Sequence, residues 1–152
     1  MNSSDKKNLT ADTSGVWQKL TSPDEAPPGL SVRLALPSFD NGAWMVLEHW
    51  QAGSGEPPHS HPGDDMTVVI EGRMSVQFFS ESDDGLTPDG DRVEFTKGDT
   101  GFIAAGRIHD AKYVEDCKLV YVHDGEFGFT PAGNSKEECV RLQTNGTNVL
   151  SD

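Results

Sequence analysis

Positive charge is scarce in this chain. Lysine and arginine number 12 against 25 aspartates and glutamates, a formal net charge of −13. That imbalance argues against nucleic acid or an anionic membrane as a partner. Long apolar runs are lacking too. None reaches the roughly 20 residues that a membrane-crossing helix needs, and residues 1–13 are polar, without the apolar segment of a secretory signal. The expected location is therefore the cytoplasm. Cysteine is limited to Cys117 and Cys139, which match no cysteine-based metal spacing. A disulfide between them is possible, but reduced thiols are the expected state, with Cys117 filling core from a strand-like run. Aromatic residues are few, at 8%.

Glycine and proline are plentiful, at 16 and 9 among 152 residues. The length suits one domain with a buried core. The composition suits many short strands joined by turns. Residues 1–14 read as a flexible leader, residues 15–145 as a single domain and residues 146–152 as a frayed tail. Within the domain, residues 15–20, carrying Trp17, form a possible short strand. Residues 30–36 alternate Val32, Leu34 and Leu36 against Arg33 and Ala35, as a half-buried strand does. Further strands are expected at 43–50, 66–70, 73–79, 92–95, 101–104, 108–114 and 118–123. Glu71-Gly72 reads as the tight turn of a hairpin, and residues 80–91 as a polar insertion with turns at Asp84-Gly85 and Asp89-Gly90. Ser135 and Glu138 have capping-box spacing, which predicts a short C-terminal helix over 136–143. The fold class is all-β, a sandwich or a barrel.

The chemistry concentrates between Gly53 and Gly72. His59 and His61 are two residues apart, so on a strand both imidazoles point to one face. Asp65 follows four residues later, with Asp64 and Glu56 as nearby acidic rivals. Gly53, His59, His61, Asp65 and Gly72 resemble the first motif of the cupin superfamily, with Asp65 in the position of its glutamate. Gly98, Ala104, Gly106, His109 and Tyr113 resemble the second, with alanine and tyrosine replacing proline and asparagine. Two motifs in order and in register are far more specific than a lone His-x-His.

The resemblance implies a jelly-roll barrel and a homodimer formed through the N-terminal strands. It implies a divalent transition metal on His59, His61 and His109, with Asp65 as a fourth ligand. Neutral imidazoles suit Fe(II), Mn(II), Ni(II), Cu(II) or Zn(II), and Fe(II) is favoured. The chain is also similar to the small three-histidine dioxygenases that cleave β-diketones, through Gly72-Arg73-Met74 and the stretch from Gly101 to His109. It departs from them at the apolar Ile103. The expected function is that of a metal-dependent dioxygenase acting on a small, enolisable substrate. A non-redox metal enzyme (isomerase, lyase or cyclase) and a non-catalytic ligand-binding barrel are the alternatives. Tyr113, on the same face as His109 if the strand is regular, is the candidate to donate a hydrogen bond to substrate. Met45, Met66, Met74, Phe78 and Phe102 are candidates for an apolar pocket wall, with core packing as the default reading. His49 and His123 match no motif and are expected near the rim. Arg73 and Arg107 are candidates to steer an anion, Arg107 more simply as a surface residue.

Overall fold

A computed structural model describes residues 20–37, 39–133 and 140–141. Among these residues there is no helix, only strands and turns. Five strands form one antiparallel sheet in the order β1 (Leu30–Ala35), β2 (Trp44–Trp50), β10 (Cys117–His123), β4 (Asp65–Glu71) and β8 (Thr100–Ile103). The second sheet runs β12 (Val140–Arg141), β11 (Gly128–Pro131), β3 (Gly55–Ser60), β9 (His109–Tyr113), β5 (Arg73–Ser82) and β6 (Gly85–Pro88), and β7 (Val93–Thr96) pairs with β5.

Side-chain alternation explains why the two sheets close on each other. On β2, Val46, Glu48 and Trp50 are buried, and on β10 so are Cys117, Leu119, Tyr121 and His123. From the other sheet, Met74 and Val76 of β5 and Ala111 and Tyr113 of β9 join Trp50, Cys117 and Leu119 in one core, while Val46 and Tyr121 form a second with Leu34 and Phe127. Trp50 and Tyr113 stack across the core with ring centroids 4.4 Å apart. Burying such rings contributes several kcal/mol, on the order of 25 cal/mol per Å² of apolar area. The intervening residues face outward. Met45, Met66 and Phe102 do so with 43%, 59% and 59% exposure, so they do not form a pocket wall.

Two expected features come out differently. The turn at Gly72 does not make a hairpin: β4 pairs with β10 and β8, whereas β5 pairs with β9, β6 and β7. The turn instead carries the chain from one sheet to the other. Gly72 has φ +85°, and a Cβ there would stand 2.0 Å from the carbonyl oxygen of Asp116, so the crossing closes only around a glycine. The polar insertion at 80–91 is partly regular, because β5 continues to Ser82 and a turn at Asp83-Asp84 leads into β6, where Gly85 pairs with Ser82. The expected helix over 136–143 and the strand over 15–20 fall almost wholly outside the described residues, as do Trp17 and Cys139. Within the former span Val140–Arg141 are extended and pair with Gly128 and Phe129.

Candidate metal centre

The fold brings the two histidine motifs together through one ladder. His59 lies on β3 directly opposite His109 on β9, and His61 follows just past the end of β3. The turn after β8 fixes that end, because Gly106 N–H donates to the His61 carbonyl at 2.9 Å. One ring nitrogen from each of His59, His61 and His109 lies within 4.8 Å of the other two, and all three residues are buried.

Backbone carbonyls decide which nitrogen points inward. His59 Nδ1–H donates to Pro57 O at 2.7 Å, His61 Nδ1–H to Gly128 O at 2.7 Å, and His109 Nδ1–H to Arg107 O at 2.9 Å. A carbonyl only accepts, so each Nδ1 carries the proton and each Nε2 presents a lone pair. Burial lowers the pKa of all three. It drives His61 well below the ordinary range and, with His59 beside it, His109 to about 4. Three neutral imidazoles with converging lone pairs repel one another unless a cation stands between them. Buried His59 Nε2 has no hydrogen-bond partner. The donor set and this orphaned nitrogen fit a divalent transition metal.

Two carboxyls flank the group. Glu56 Oε2 is 3.2 Å from His59 Nε2 without forming a hydrogen bond. Ligand atoms each about 2.1 Å from one ion stand roughly 3.0–3.4 Å apart. Asp65 Oδ2 is 3.6 Å from His61 Nε2, and its buried Oδ1 has no hydrogen-bond partner. Asp64 is occupied elsewhere, accepting from Ala105 N–H at 2.7 Å. Burial raises Asp65 to about 8, with Glu48 and Glu56 adding to the rise, and burial raises Glu56 to about 7.

A cavity of about 50 Å³ opens beside these groups. Met74, Val76, Ile103, Leu119 and Phe127 form apolar wall, while Glu48, Glu56, Asp65, Tyr113 and Tyr121 supply polar groups. Of the five apolar candidates, Met74 lies here, and Phe78 packs against the core beside His109. Tyr113 lines the cavity, and its hydroxyl donates to Glu56 Oε1 at 3.2 Å.

Glu48 belongs to no motif in the sequence. It is 5% exposed and accepts from Trp50 Nε1–H at 2.8 Å and from the Tyr121 hydroxyl at 2.7 Å. Burial, then the nearby Glu56, raise its pKa to about 8. The available signal was a glutamate between Val46 and Trp50 on the apolar face of a strand. His123 also departs from expectation. It is fully buried rather than at the rim, donates from Nδ1 to Gly125 O at 2.8 Å, and accepts at Nε2 from Gly63 N–H at 3.1 Å. His49 stays half-buried near Asp116. Arg73 is exposed beside Glu94 and Glu115, while Arg107 lies over the Phe78 ring and donates to Asp89 and Phe79 O.

These features define a cupin with a three-histidine group suited to a metal. Residues 13–128 match the family of the ChrR cupin-like domain, and the chain belongs to that family. Over 82 residues it is 33% identical to the DNA damage-repair/toleration protein DRT102 of Arabidopsis thaliana, covering 54% of this chain and 24% of that protein. Among solved structures, a conserved protein from Streptococcus pyogenes has TM-score 0.55 at 18% identity, covering 78% of this chain and 91% of that one. A cupin superfamily protein from Desulfitobacterium hafniense has TM-score 0.52 at 14% identity, covering 68% and 84%. Salicylate 1,2-dioxygenase from Pseudoaminobacter salicylatoxidans, solved with gentisate, has TM-score 0.54 at 16% identity, covering 67% and 26%. At these identities the likeness is one of fold. No helix among the described residues is long and apolar enough to cross a membrane.

Proposed function

We propose that this chain is a metal-dependent enzyme, a non-haem Fe(II) dioxygenase acting on a small, enolisable carbonyl compound. The observation that carries the reading is the convergence of three Nε2 lone pairs beside a small cavity, each ring held by a backbone carbonyl. His59, His61 and His109 would hold the metal, with Asp65 and Glu56 as carboxylate neighbours. Iron bound there supplies Lewis acidity toward the carbonyl and redox chemistry toward O₂. Glu56 is placed to accept the proton that the substrate carbon loses on enolisation, and the Tyr113 hydroxyl holds that carboxylate in position. Leu119, Val76 and Phe127 keep water from the reacting atoms. Dioxygenases among proteins of the same fold support the reading by analogy.

One observation favours a second, non-redox reading. The Glu56–Tyr113 pair can move a proton without O₂, as isomerase, lyase or cyclase chemistry requires. Metal analysis of wild type and of the His59→Ala and His109→Ala variants tests the site, and retention of metal by both variants would sink it. Oxygen uptake by the Fe(II)-loaded protein with β-diketones, flavonols and thiols tests the reaction. Turnover without oxygen uptake would select the non-redox reading.

A further inference from the structure

Two connections cross between the sheets side by side. Residues 61–64 lead from β3 to β4, with His61 at their start and Asp65 just past their end. Residues 124–127 lead from β10 to β11. The flanking strands pair antiparallel, His123 opposite Asp65 and Thr130 opposite Ser60. Three hydrogen bonds tie the first connection to the second and its flanks. His61 Nδ1–H donates to Gly128 O at 2.7 Å, Asp124 N–H to Asp64 O at 2.9 Å, and buried Gly63 N–H to His123 Nε2 at 3.1 Å. The glycine at 63 belongs to the same fit. A Cβ there would stand 2.1 Å from Asp124 O and 2.9 Å from Cε1 of the His123 ring, so the first connection lies flush against the second.

His123 is held ready for this contact. It is fully buried at the end of β10, and its Nδ1–H donates to Gly125 O at 2.8 Å, which leaves Nε2 as the acceptor turned toward Gly63. Phe127 packs edge-on against the ring with centroids 5.4 Å apart. The His61 ring stands 6.2 Å away, and Asp65 Oδ1 lies 3.8 Å from His123 Nε2, too far to hydrogen-bond. The reach of His123 toward both residues therefore runs through the Gly63 amide, two residues from each. A buried N–H without an acceptor is driven to move until it finds one. We propose that His123 is a positioning residue for the metal centre. By accepting from Gly63 N–H, it holds the 61–65 segment so that His61 Nε2 converges with those of His59 and His109, and Asp65 stays beside His61. This rests on the metal-binding role proposed above for the three histidines.

Co(II) is the probe. Its retention during dialysis against graded chelator, and the visible spectrum of the Co(II)-loaded protein, are measured for wild type, His123→Leu and His123→Gln. Leucine fills the space without an acceptor. It should lower retention by roughly 10- to 100-fold and shift the Co(II) bands, because a displaced ligand changes the coordination geometry. Glutamine, whose amide oxygen can stand in for Nε2, should restore both toward wild type. Gly72→Ala, just past the far end of β4, is the control: it loosens the fold away from this contact and should leave the bands in place. Wild-type retention and bands in folded His123→Leu, a His123→Gln as impaired as His123→Leu, or the same band shift in Gly72→Ala would each overturn the assignment. Should His123→Leu fail to fold, Gly63→Ala takes its place under the same criteria, since its Cβ pushes the segment off the His123 ring. Wild type that holds no Co(II) sinks the metal reading and this assignment with it. Metal binding by wild type that is indifferent to His123→Leu sinks this assignment alone.

Discussion

Glu56 Oε2 lies 3.2 Å from Nε2 of His59, and the two atoms do not hydrogen-bond. With His59 Nδ1 donating to Pro57 O, both facing atoms are acceptors unless Glu56 carries a proton. A shared cation resolves the contact. Glu56→Gln should therefore weaken metal retention by roughly 10- to 100-fold while leaving the protein folded. Metal content after dialysis against graded chelator, with circular dichroism as the control for folding, checks this. Unchanged retention would place Glu56 outside the metal's surroundings.

Tyr113 stacks on Trp50 and donates to Glu56. Tyr113→Phe keeps the stack and removes the donor. If that hydroxyl positions the base, its removal should lower kcat by about 10- to 100-fold with little change in KM. The accompanying loss of stability should be about 1 kcal/mol, the typical worth of one such hydrogen bond. An unaltered kcat would leave Tyr113 a packing residue alone.

The metal-free protein should lose stability as pH rises from about 6.5 to 8. Burial raises Glu48 and Asp65 to about 8 and Glu56 to about 7, above their unfolded values. Across that window the folded state binds more protons than the unfolded one, so stability falls with rising pH. Burial depresses the histidines, which act the other way: their contribution is present above pH 6.5 and is lost as pH falls toward about 4, the folded value of His109. Between about pH 4 and 6.5 the two sets oppose each other, and above 6.5 the carboxyls act alone. Thermal melts of metal-free wild type and Glu48→Gln across this range check the sign. The variant should show the shallower fall.

Gly72→Ala should destabilise the fold by more than about 2 kcal/mol. The residue sits at φ +85°, and a methyl group there meets the Asp116 carbonyl oxygen at 2.0 Å. Gly98 has φ +88° but nothing within 4 Å, so Gly98→Ala meets backbone strain without the clash and should cost less. Urea denaturation of the two variants gives the comparison, and equal losses would show that the clash relaxes.

Much of the strand pattern could be read from the chain. Val46, Glu48 and Trp50 on β2, and Leu119, Tyr121 and His123 on β10, repeat every second residue, as strands with one buried face must. The spacing of His59 and His61 and the turn glycines around them pointed to half a site. What could not be read was pairing. Gly72 looks like a hairpin turn from its flanking strands, and only the close approach of Asp116 shows the chain passing between sheets. His123 and Glu48 looked unremarkable because local alternation gives a side chain's face but not what the opposite sheet brings against it. Gly63 belongs to the same category: a Cβ there would stand 2.1 Å from Asp124 O and 2.9 Å from the His123 ring.

By itself the sequence determined the class of fold, the His59–His61 pair and the kind of cation their chemistry suits, because period-two alternation and ligand type are local properties. Tertiary structure decided the rest. The β3–β9 register set His59 opposite His109, carbonyls of Pro57, Gly128 and Arg107 turned three Nε2 lone pairs inward, and sheet packing buried Glu48, Glu56 and Asp65 around one cavity. Such convergence depends on long-range pairing and on exclusion of water, and neither is encoded in the spacing of neighbouring residues.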